Sequence, residues 1–569
     1  MDRIIGISKG EEKAELVLKN ANVINVFTNE IIEADVAVYQ GRIVGIGDYE
    51  GEEEIDLNGK YLAPGFVDSH VHIESSMVTP GQFAKAIVPR GVTSVITDPH
   101  EIANVKGIEG IKYMLDESED LPLDVYVMVS SCVPSTPFEN AGAVLEAEDL
   151  EELKEHERVL GLGEMMNYPG VINKDEKVLK KLDLFSDMII DGHGPLISGK
   201  ELNAYVASGV KTEHECSTKE EMLDRLRLGM YIHIREGSAA RNLKELIQVV
   251  DKDNLRRCIF CTDDKNPSDL LKDGSIDHNI RLAIKEGIDP IDCVKMASLN
   301  AAEAYGLKGK GAIAPGYIAD MVVIDNLEDF NVVKVFKEGR LVAEDNKPLF
   351  SVPTKDNASM KNTVNIKKVE LEDLKIPIKG DRVNVIKLLP HSIITEKAVR
   401  DAENVTVEDG YFVKAENLLK VAVIERHNRT GNIGLGLVED FGLENGAIAS
   451  TVAHDSHNLI VIGDNDEDML LAIEELERVG GGLTMVSEGR VLDTLPLTIA
   501  GLMSEETLEV VDEKLHAMIE LAYNKLKVNR DLDPFMTLSF IALPVIPEIK
   551  LTDLGLFDVE EFKFIQLTE

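Results

Sequence analysis

Residues 64–72 read Pro-Gly-Phe-Val-Asp-Ser-His-Val-His, an apolar opening that closes on two histidines two positions apart. On an extended strand residues i and i+2 share a face, so His70 and His72 turn their imidazoles the same way and can hold one metal ion. Taken alone, the pair reads equally well as two satisfied strand histidines. Its weight comes from the rhythm of the next 200 residues. Apolar, β-branched runs recur at 66–71, 94–97, 125–129, 159–163, 188–190, 210–212, 231–234 and 258–261. Helix-like stretches separate most of them, such as 148–159 (EDLEELKEHERV) and 218–229 (TKEEMLDRLRLG), with apolar residues at helical spacing. Strand and helix alternating eight times is what a (β/α)8 barrel requires. The fold expected is therefore α/β, with a TIM-like catalytic barrel over residues 64–309.

The flanks read differently. Residues 14–62 and 313–342 are short alternating strands broken by Gly and Asn, with a hairpin at Gln40-Gly41. Together they predict a small β-sandwich built from both sides of the barrel, residues 1–63 and 310–350. Residues 355–569 read as a C-terminal α/β domain. Its clearest helix is 464–482 (DNDEDMLLAIEELERVGGG), with an acidic first turn and a glycine stop.

A chain of 569 residues exceeds one ordinary core, and 44% hydrophobic with 28% charged residues is a soluble globular composition. The formal charge of −42 repels phosphate backbones and anionic headgroups, which argues against nucleic acid and membrane partners. It leans weakly toward neutral or cationic small molecules, although such acidity also serves solubility. No apolar run approaches the roughly 18 residues of a membrane span, and the N-terminus lacks signal-peptide features, so the cytoplasm is the expected compartment. Five cysteines make no disulfide framework, and Cys258 and Cys261 sit in an apolar run that reads as a buried strand.

In a barrel the residues closing each strand meet in one mouth. The first run ends in Asp68-Ser69-His70-Val71-His72, the fourth in Glu164, the fifth in His193, the sixth in His214 and the eighth in Asp263-Asp264. Singly, Glu164 could be a surface carboxylate and His193 could hold a turn. Four of the 13 histidines at three strand ends, with carboxylates closing two more, point jointly to a metal site.

These motifs resemble the amidohydrolase superfamily: PGFVDSHVH, single histidines after two later strands, an aspartate after the last, and the APGYIADMVVID return at 314–325. More narrowly, HVHIESSM (70–77), DPHEIANV (98–105), GEMMNYPGV (163–171), DGHGP (191–195), EHECS (213–217), REGSAARN (235–242), TDDKNP (262–267) and HDSHN (454–458) resemble the adenine deaminase family. The resemblance implies a binuclear divalent metal centre. His70, His72 and Asp263 would hold one ion, His193 and His214 the other, and Glu164 would bridge them where many superfamily members use a carboxylated lysine. Manganese is the metal it implies; imidazole with carboxylate suits iron and zinc as well. The implied reaction is deamination of adenine to hypoxanthine and ammonia by metal-activated hydroxide, a purine salvage step, with Asp263 shuttling the proton. A homo-oligomer is the expected assembly.

Glu101 is a second catalytic candidate, protonating or hydrogen-bonding the purine or joining the metal shell. His100 and Asp264 are further candidates at the substrate, Asp264 also as a group that orients a histidine or water behind the metals, and Arg235, Glu236 and Ser238 could line the pocket or form a loop held by backbone hydrogen bonds. His454 and His457 could close over the pocket, bind a further metal, or form a local turn network. Three other functions compete. A hydrolase of the same fold could cleave a cyclic amide or a different aminated heterocycle, and a non-catalytic barrel would lack the ligands found here. A nucleic-acid deaminase would need a basic groove and an H-x-E with P-C-x-x-C signature, and the chain has no P-C-x-x-C.

Overall fold

The computed structural model describes residues 1–569. Five strands come first: β1 (Ala14–Asn25), β2 (Glu30–Tyr39), β3 (Arg42–Gly47), β4 (Gly51–Asp56) and β5 (Tyr61–Pro64). Alternation along β1 sorts its side chains onto two faces. Leu16, Leu18 and Val23 join one core and Val17 another. Between β2 and β3, Gln40 and Gly41 both have positive φ, 48° and 72°. Two-residue hairpins favour this backbone because its twist matches the strands.

Nine strands then carry the parallel part: β6 (Phe66–His72), β7 (Val92–Thr97), β8 (Asp124–Val129), β9 (Val159–Met165), β10 (Ile189–Gly192), β11 (Thr212–Glu213), β12 (Tyr231–Arg235), β13 (Cys258–Cys261) and β14 (Asp263–Asp264). They form a curled six-stranded sheet in the order β10-β9-β8-β7-β6-β14 and a three-stranded sheet β11-β12-β13, with every pairing parallel. Hydrogen bonds connect the two sheets on both sides. Lys211 N–H donates to the Ile190 carbonyl (2.9 Å), and Ser69 Oγ donates to the Phe260 carbonyl (2.5 Å). Every residue of β6, β7 and β13 is buried, as continuous apolar runs in a sheet covered on both faces should be. Cys258 and Cys261 are buried, unpaired thiols of β13.

After the parallel strands come β15 (Met321–Ile324), β16 (Val332–Lys337), β17 (Arg340–Glu344) and β18 (Lys347–Pro348). The expected sandwich is instead one nine-stranded sheet, ordered β18-β17-β16-β15-β5-β1-β2-β3 with β4 on β1. Strand β5 is the reason. It pairs parallel with β1 and antiparallel with β15, so the two flanking segments share backbone hydrogen bonds. The sheet also folds back on itself, with Ile43 N–H donating to the Tyr317 carbonyl (2.9 Å) and Gly316 N–H to the Ile43 carbonyl (2.8 Å). The helix expected at 148–159 is shorter than its spacing suggested: Ala147–Leu150 is α-helical and Glu151–Leu153 is a 3-10 turn. Glu151 and Glu155 would stack like charges one turn apart. The Arg158 guanidinium is drawn away to Ser118 Oγ (2.8 Å) and the Leu115 carbonyl (2.6 Å).

The C-terminal region centres on an eight-stranded sheet between Arg382 and Pro496, antiparallel except where Arg382–Leu388 meets Ile433–Glu439. The helix Asp466–Val479 packs Met469, Ala472, Ile473 and Leu476 onto it. Asn465 caps its start and Gly480, at φ 84°, ends it. This region meets the parallel part through the loop after β8. Asn140 N–H donates to Asp553 Oδ1 (2.9 Å), Ser456 Oγ to Glu139 Oε2 (2.8 Å) and Asn458 Nδ2 to the Asn140 carbonyl (2.7 Å).

Two buried charge arrangements yield tests. Asp320 takes Lys310 Nζ at 2.7 Å and Lys337 Nζ at 3.1 Å, and both ammoniums also face Asp124 at the start of β8. The network ties the nine-stranded sheet to the parallel one. Asp320→Ala leaves two buried ammoniums short of a partner and should cost about 3–5 kcal/mol, seen as a lower urea midpoint. Lys563→Ala, in an exposed pair with Glu561, should leave that midpoint unchanged. Lys550 is fully buried with no acidic partner, its Nζ donating to the carbonyls of Ile393 (2.9 Å) and Phe540 (3.1 Å). Burial pushes its pKa down to about 7. Between about 7 and the ordinary lysine value the unfolded chain therefore binds the extra proton. Stability should fall as pH drops through that window, and the fall should be smaller in Lys550→Met when thermal midpoints are compared across pH.

Candidate metal centre

Strand β6 delivers His70 and His72 to the end of the parallel sheet, and two contacts fix its partner there. Asp68 accepts from Thr262 N–H (3.0 Å) and Thr262 Oγ1 (2.5 Å), which sets Asp263 beside the histidines. Asp263 holds a left-handed backbone, φ 57°, uncommon for a residue with a side chain. The Glu164 carboxylate lies in the middle. Its Oε1 is 3.2 Å from His70 Nε2 and 2.9 Å from His72 Nε2, and Asp263 Oδ1 is 3.5 and 3.1 Å from the same two nitrogens. Its Oε2 is 2.7 Å from His193 Nδ1 and 3.4 Å from His214 Nε2, and those two nitrogens are 3.2 Å apart. Two sets of candidate ligands thus share one carboxylate. The structure brings together all six residues singled out at the strand ends.

The donor set fits metal ions better than hydrogen bonds. His72 Nδ1 donates to the Asp98 carbonyl at 2.9 Å, so a neutral His72 aims the lone pair of Nε2 at Glu164 and Asp263, acceptor against acceptors. His70 Nε2 and Glu164 Oε1 are buried without a hydrogen-bond partner. Only a proton or a cation reconciles such a set. Burial opposes a charged His70, yet the Glu164 and Asp263 carboxylates together outweigh it and lift the imidazole to about 10. For His193 burial is outweighed by Glu215 and Glu164, giving about 9. The same pull that favours a proton at these nitrogens favours a divalent ion.

Supports surround the ligands. Asp98 Oδ2 accepts the Glu164 N–H (3.0 Å) and Asp98 Oδ1 accepts Ser130 Oγ (2.6 Å). This approach requires glycine at 163, because a Cβ there would lie 2.1 Å from Asp98 Oδ2. Arg235, expected at the pocket, instead grips Asp263 and Glu215 from behind. Its Nη1 donates to Asp263 Oδ2 (2.6 Å) and the guanidinium also binds Glu215. Sequence reading passed over Glu215. Burial resists its ionisation, but Arg235, His193 and His214 together hold it at about 2. Sequence reading also missed His233, whose Nε2 meets the Tyr305 hydroxyl at 3.2 Å and whose ring lies 6.0 Å from His70. The period-two relation of His233 to Arg235 was the available signal.

From 350 residues downstream the C-terminal region places His454 and His457 against Glu101. Glu101 Oε1 takes His454 Nδ1 at 2.8 Å and lies 3.3 Å from His100 Nε2, while Oε2 takes His457 Nε2. His100 stands between Glu101 and Glu164, its Nδ1 3.7 Å from Glu164 Oε1. Burial disfavours charge on Glu101, but His454, His457 and His100 outweigh it and keep the carboxyl well below its usual range. Glu101 is therefore a saturated acceptor, poorly suited to giving up a proton. A further metal on Glu101, His454 and His457 is also disfavoured. The Ala453 N–H donates to His457 Nδ1 (3.1 Å), so a neutral His457 carries its hydrogen on Nε2, the atom that would have to ligate. These groups form a hydrogen-bonded clasp between the two regions.

A cavity opens beside the clasp. Glu74, Glu101, Ser238 and Asp264 line its parallel-sheet side, and His454, Leu502, Phe535, Met536 and Phe540 line its C-terminal side. Phe540 stacks on His454 with centroids 4.8 Å apart. Asp264 accepts Ser75 Oγ, and Ser238 Oγ donates to Asp269 Oδ2 (2.6 Å). His100 and Arg235 are not on the cavity wall.

Residues 61–342 match the amidohydrolase family and residues 392–563 match the adenine deaminase C-terminal domain. The chain is 55% identical to an adenine deaminase of Clostridium acetobutylicum over 98% of both chains. It is 53% identical to adenine deaminase 2 of Carboxydothermus hydrogenoformans over 99% of both. Identity to an adenine deaminase of Geobacillus kaustophilus is 48%, over 99% of this chain and 98% of that one. Likeness at this level extends through the strands that carry the ligands and the segment that closes on them. The chain belongs to the adenine deaminase family.

Proposed function

We propose that this protein hydrolyses adenine to hypoxanthine and ammonia, in purine salvage, at a binuclear centre. The observation that carries the reading is the Glu164 carboxylate shared between two ligand sets, His70, His72 and Asp263 on one side and His193 and His214 on the other. Bound there, two divalent cations, manganese first with iron or zinc as alternatives, would act as Lewis acids and bring the pKa of water near neutrality. Asp263 takes the proton of the attacking water and passes it to the departing amine, so that C6 gains oxygen and loses ammonia. Arg235, bonded to Asp263 Oδ2, keeps that carboxylate oriented. The cavity is lined by acceptors on one side and apolar rings on the other, which suits a flat, neutral, N–H-bearing heterocycle. His454, His457, Glu101, Asp264 and Ser238 line the substrate space, and His100 backs Glu101 from behind. Among the chain's helices none is long and apolar enough to cross a membrane.

The same reading divides the chain into a β domain at 1–63 and 310–350, a (β/α)8 barrel at 64–309 whose two parallel sheets close on each other, and a C-terminal domain at 355–569. A cytoplasmic homo-oligomer is the assembly we expect. A cyclic amide or another aminated heterocycle stays the second reading, since the metal centre alone does not select the ring.

Metal-stripped protein incubated with adenine should release hypoxanthine and ammonia only after Mn²⁺ is restored, and His193→Asn should lose both turnover and one metal equivalent. Bound metal without adenine turnover would transfer the centre to another substrate. Gly163→Ala should displace Asp98 from the Glu164 N–H and lower metal affinity about 10- to 100-fold. Metal content after dialysis would read that loss, with the circular dichroism spectrum unchanged.

A further inference from the structure

Glu74 lies two residues beyond His72 in the 3-10 turn Ile73–Ser76, and it is 4% exposed. Its Oε1 accepts the Ile102 N–H at 3.2 Å. Its Oε2 is buried with no hydrogen-bond partner, and the side chain lines the cavity. The other carboxylates of that wall each have a donor. Glu101 is engaged by His454 and His457, and Asp264 Oδ1 by Ser75. Glu74 Oε2 is therefore the fully buried side-chain acceptor of that wall without a donor, a costly arrangement unless the ligand brings an N–H.

The proposed substrate has two kinds of N–H. The exocyclic amine belongs to the reacting carbon and must face the metal centre. The other N–H is on the imidazole ring of the free base, and every N9-substituted purine lacks it. We propose that Glu74 is a specificity-determining residue that accepts the imidazole-ring N–H of the purine and so selects the free base over nucleosides. An N9 substituent would both remove the donor and put carbon against a buried carboxylate oxygen. Rejection of a ligand that leaves a buried polar group unpaired is far stronger than rejection by shape alone. The assignment rests on adenine being the substrate.

The test compares wild type, Glu74→Ala and Glu74→Gln, each loaded with Mn²⁺ and checked for metal content, on adenine and on 9-methyladenine. For a ligand turned over too slowly, its inhibition constant against adenine replaces kcat/KM. Both variants should lose about 10- to 100-fold in kcat/KM on adenine while 9-methyladenine changes less than about 2-fold, so that discrimination collapses. Equal losses on both ligands, or none, would overturn the assignment alone. Absence of adenine turnover in the loaded wild type would overturn the adenine reading and this assignment with it.

Discussion

One carboxylate surrounded by four imidazoles governs the centre of this protein. Glu164 reaches His70 and His72 with one oxygen and His193 and His214 with the other, at 2.7–3.4 Å, while almost wholly buried. Buried charge is costly unless paired and fixed. The surrounding structure supplies the fixing: Asp98 holds the Glu164 N–H, and the same residue's carbonyl orients His72. Residues from β6 and β9 and the segments that follow β7, β10 and β11 must be held in register for this to work. The parallel pairing provides that register.

Around this centre the acidic and basic groups are layered. Arg235 sits behind Asp263 and Glu215, and Asp191 receives the hydroxyls of Thr212 (2.7 Å) and Tyr305 (3.0 Å) beneath the histidines. Each partner answers a group that burial alone would leave uncompensated. The arrangement is rigid for that reason, and a rigid set of ligands imposes its geometry on what it binds.

The C-terminal region supplies the second wall of the cavity beside the candidate metal centre. Its own fold is ordinary, a mostly antiparallel sheet with a helix on one face. What it adds is the loop bearing His454 and His457, held by Arg426, whose buried guanidinium donates to the His457 carbonyl and the Ala500 carbonyl (3.1 Å). Closure by Phe535, Met536 and Phe540 lowers the local dielectric, which strengthens every polar contact inside.

Much of this was legible in the chain itself. Strand periodicity placed β6 to β13 within a few residues, because runs buried on both faces carry a strong apolar signal, and the residues closing them included the six that the structure gathers around Glu164. The Gln40-Gly41 hairpin and the 464–482 helix were equally local, set by turn backbone and capping chemistry. The tertiary structure alone decided the rest. It merged the flanking strands into one sheet through β5, which no periodicity encodes. It gave Arg235 to Asp263 rather than to the cavity, and it joined Glu101 to His454 and His457 across some 350 residues. It also left Glu74 Oε2 without a partner. A sequence records which groups a chain owns and their local direction. Which of them satisfy one another, and which is left for a ligand, is decided only by packing.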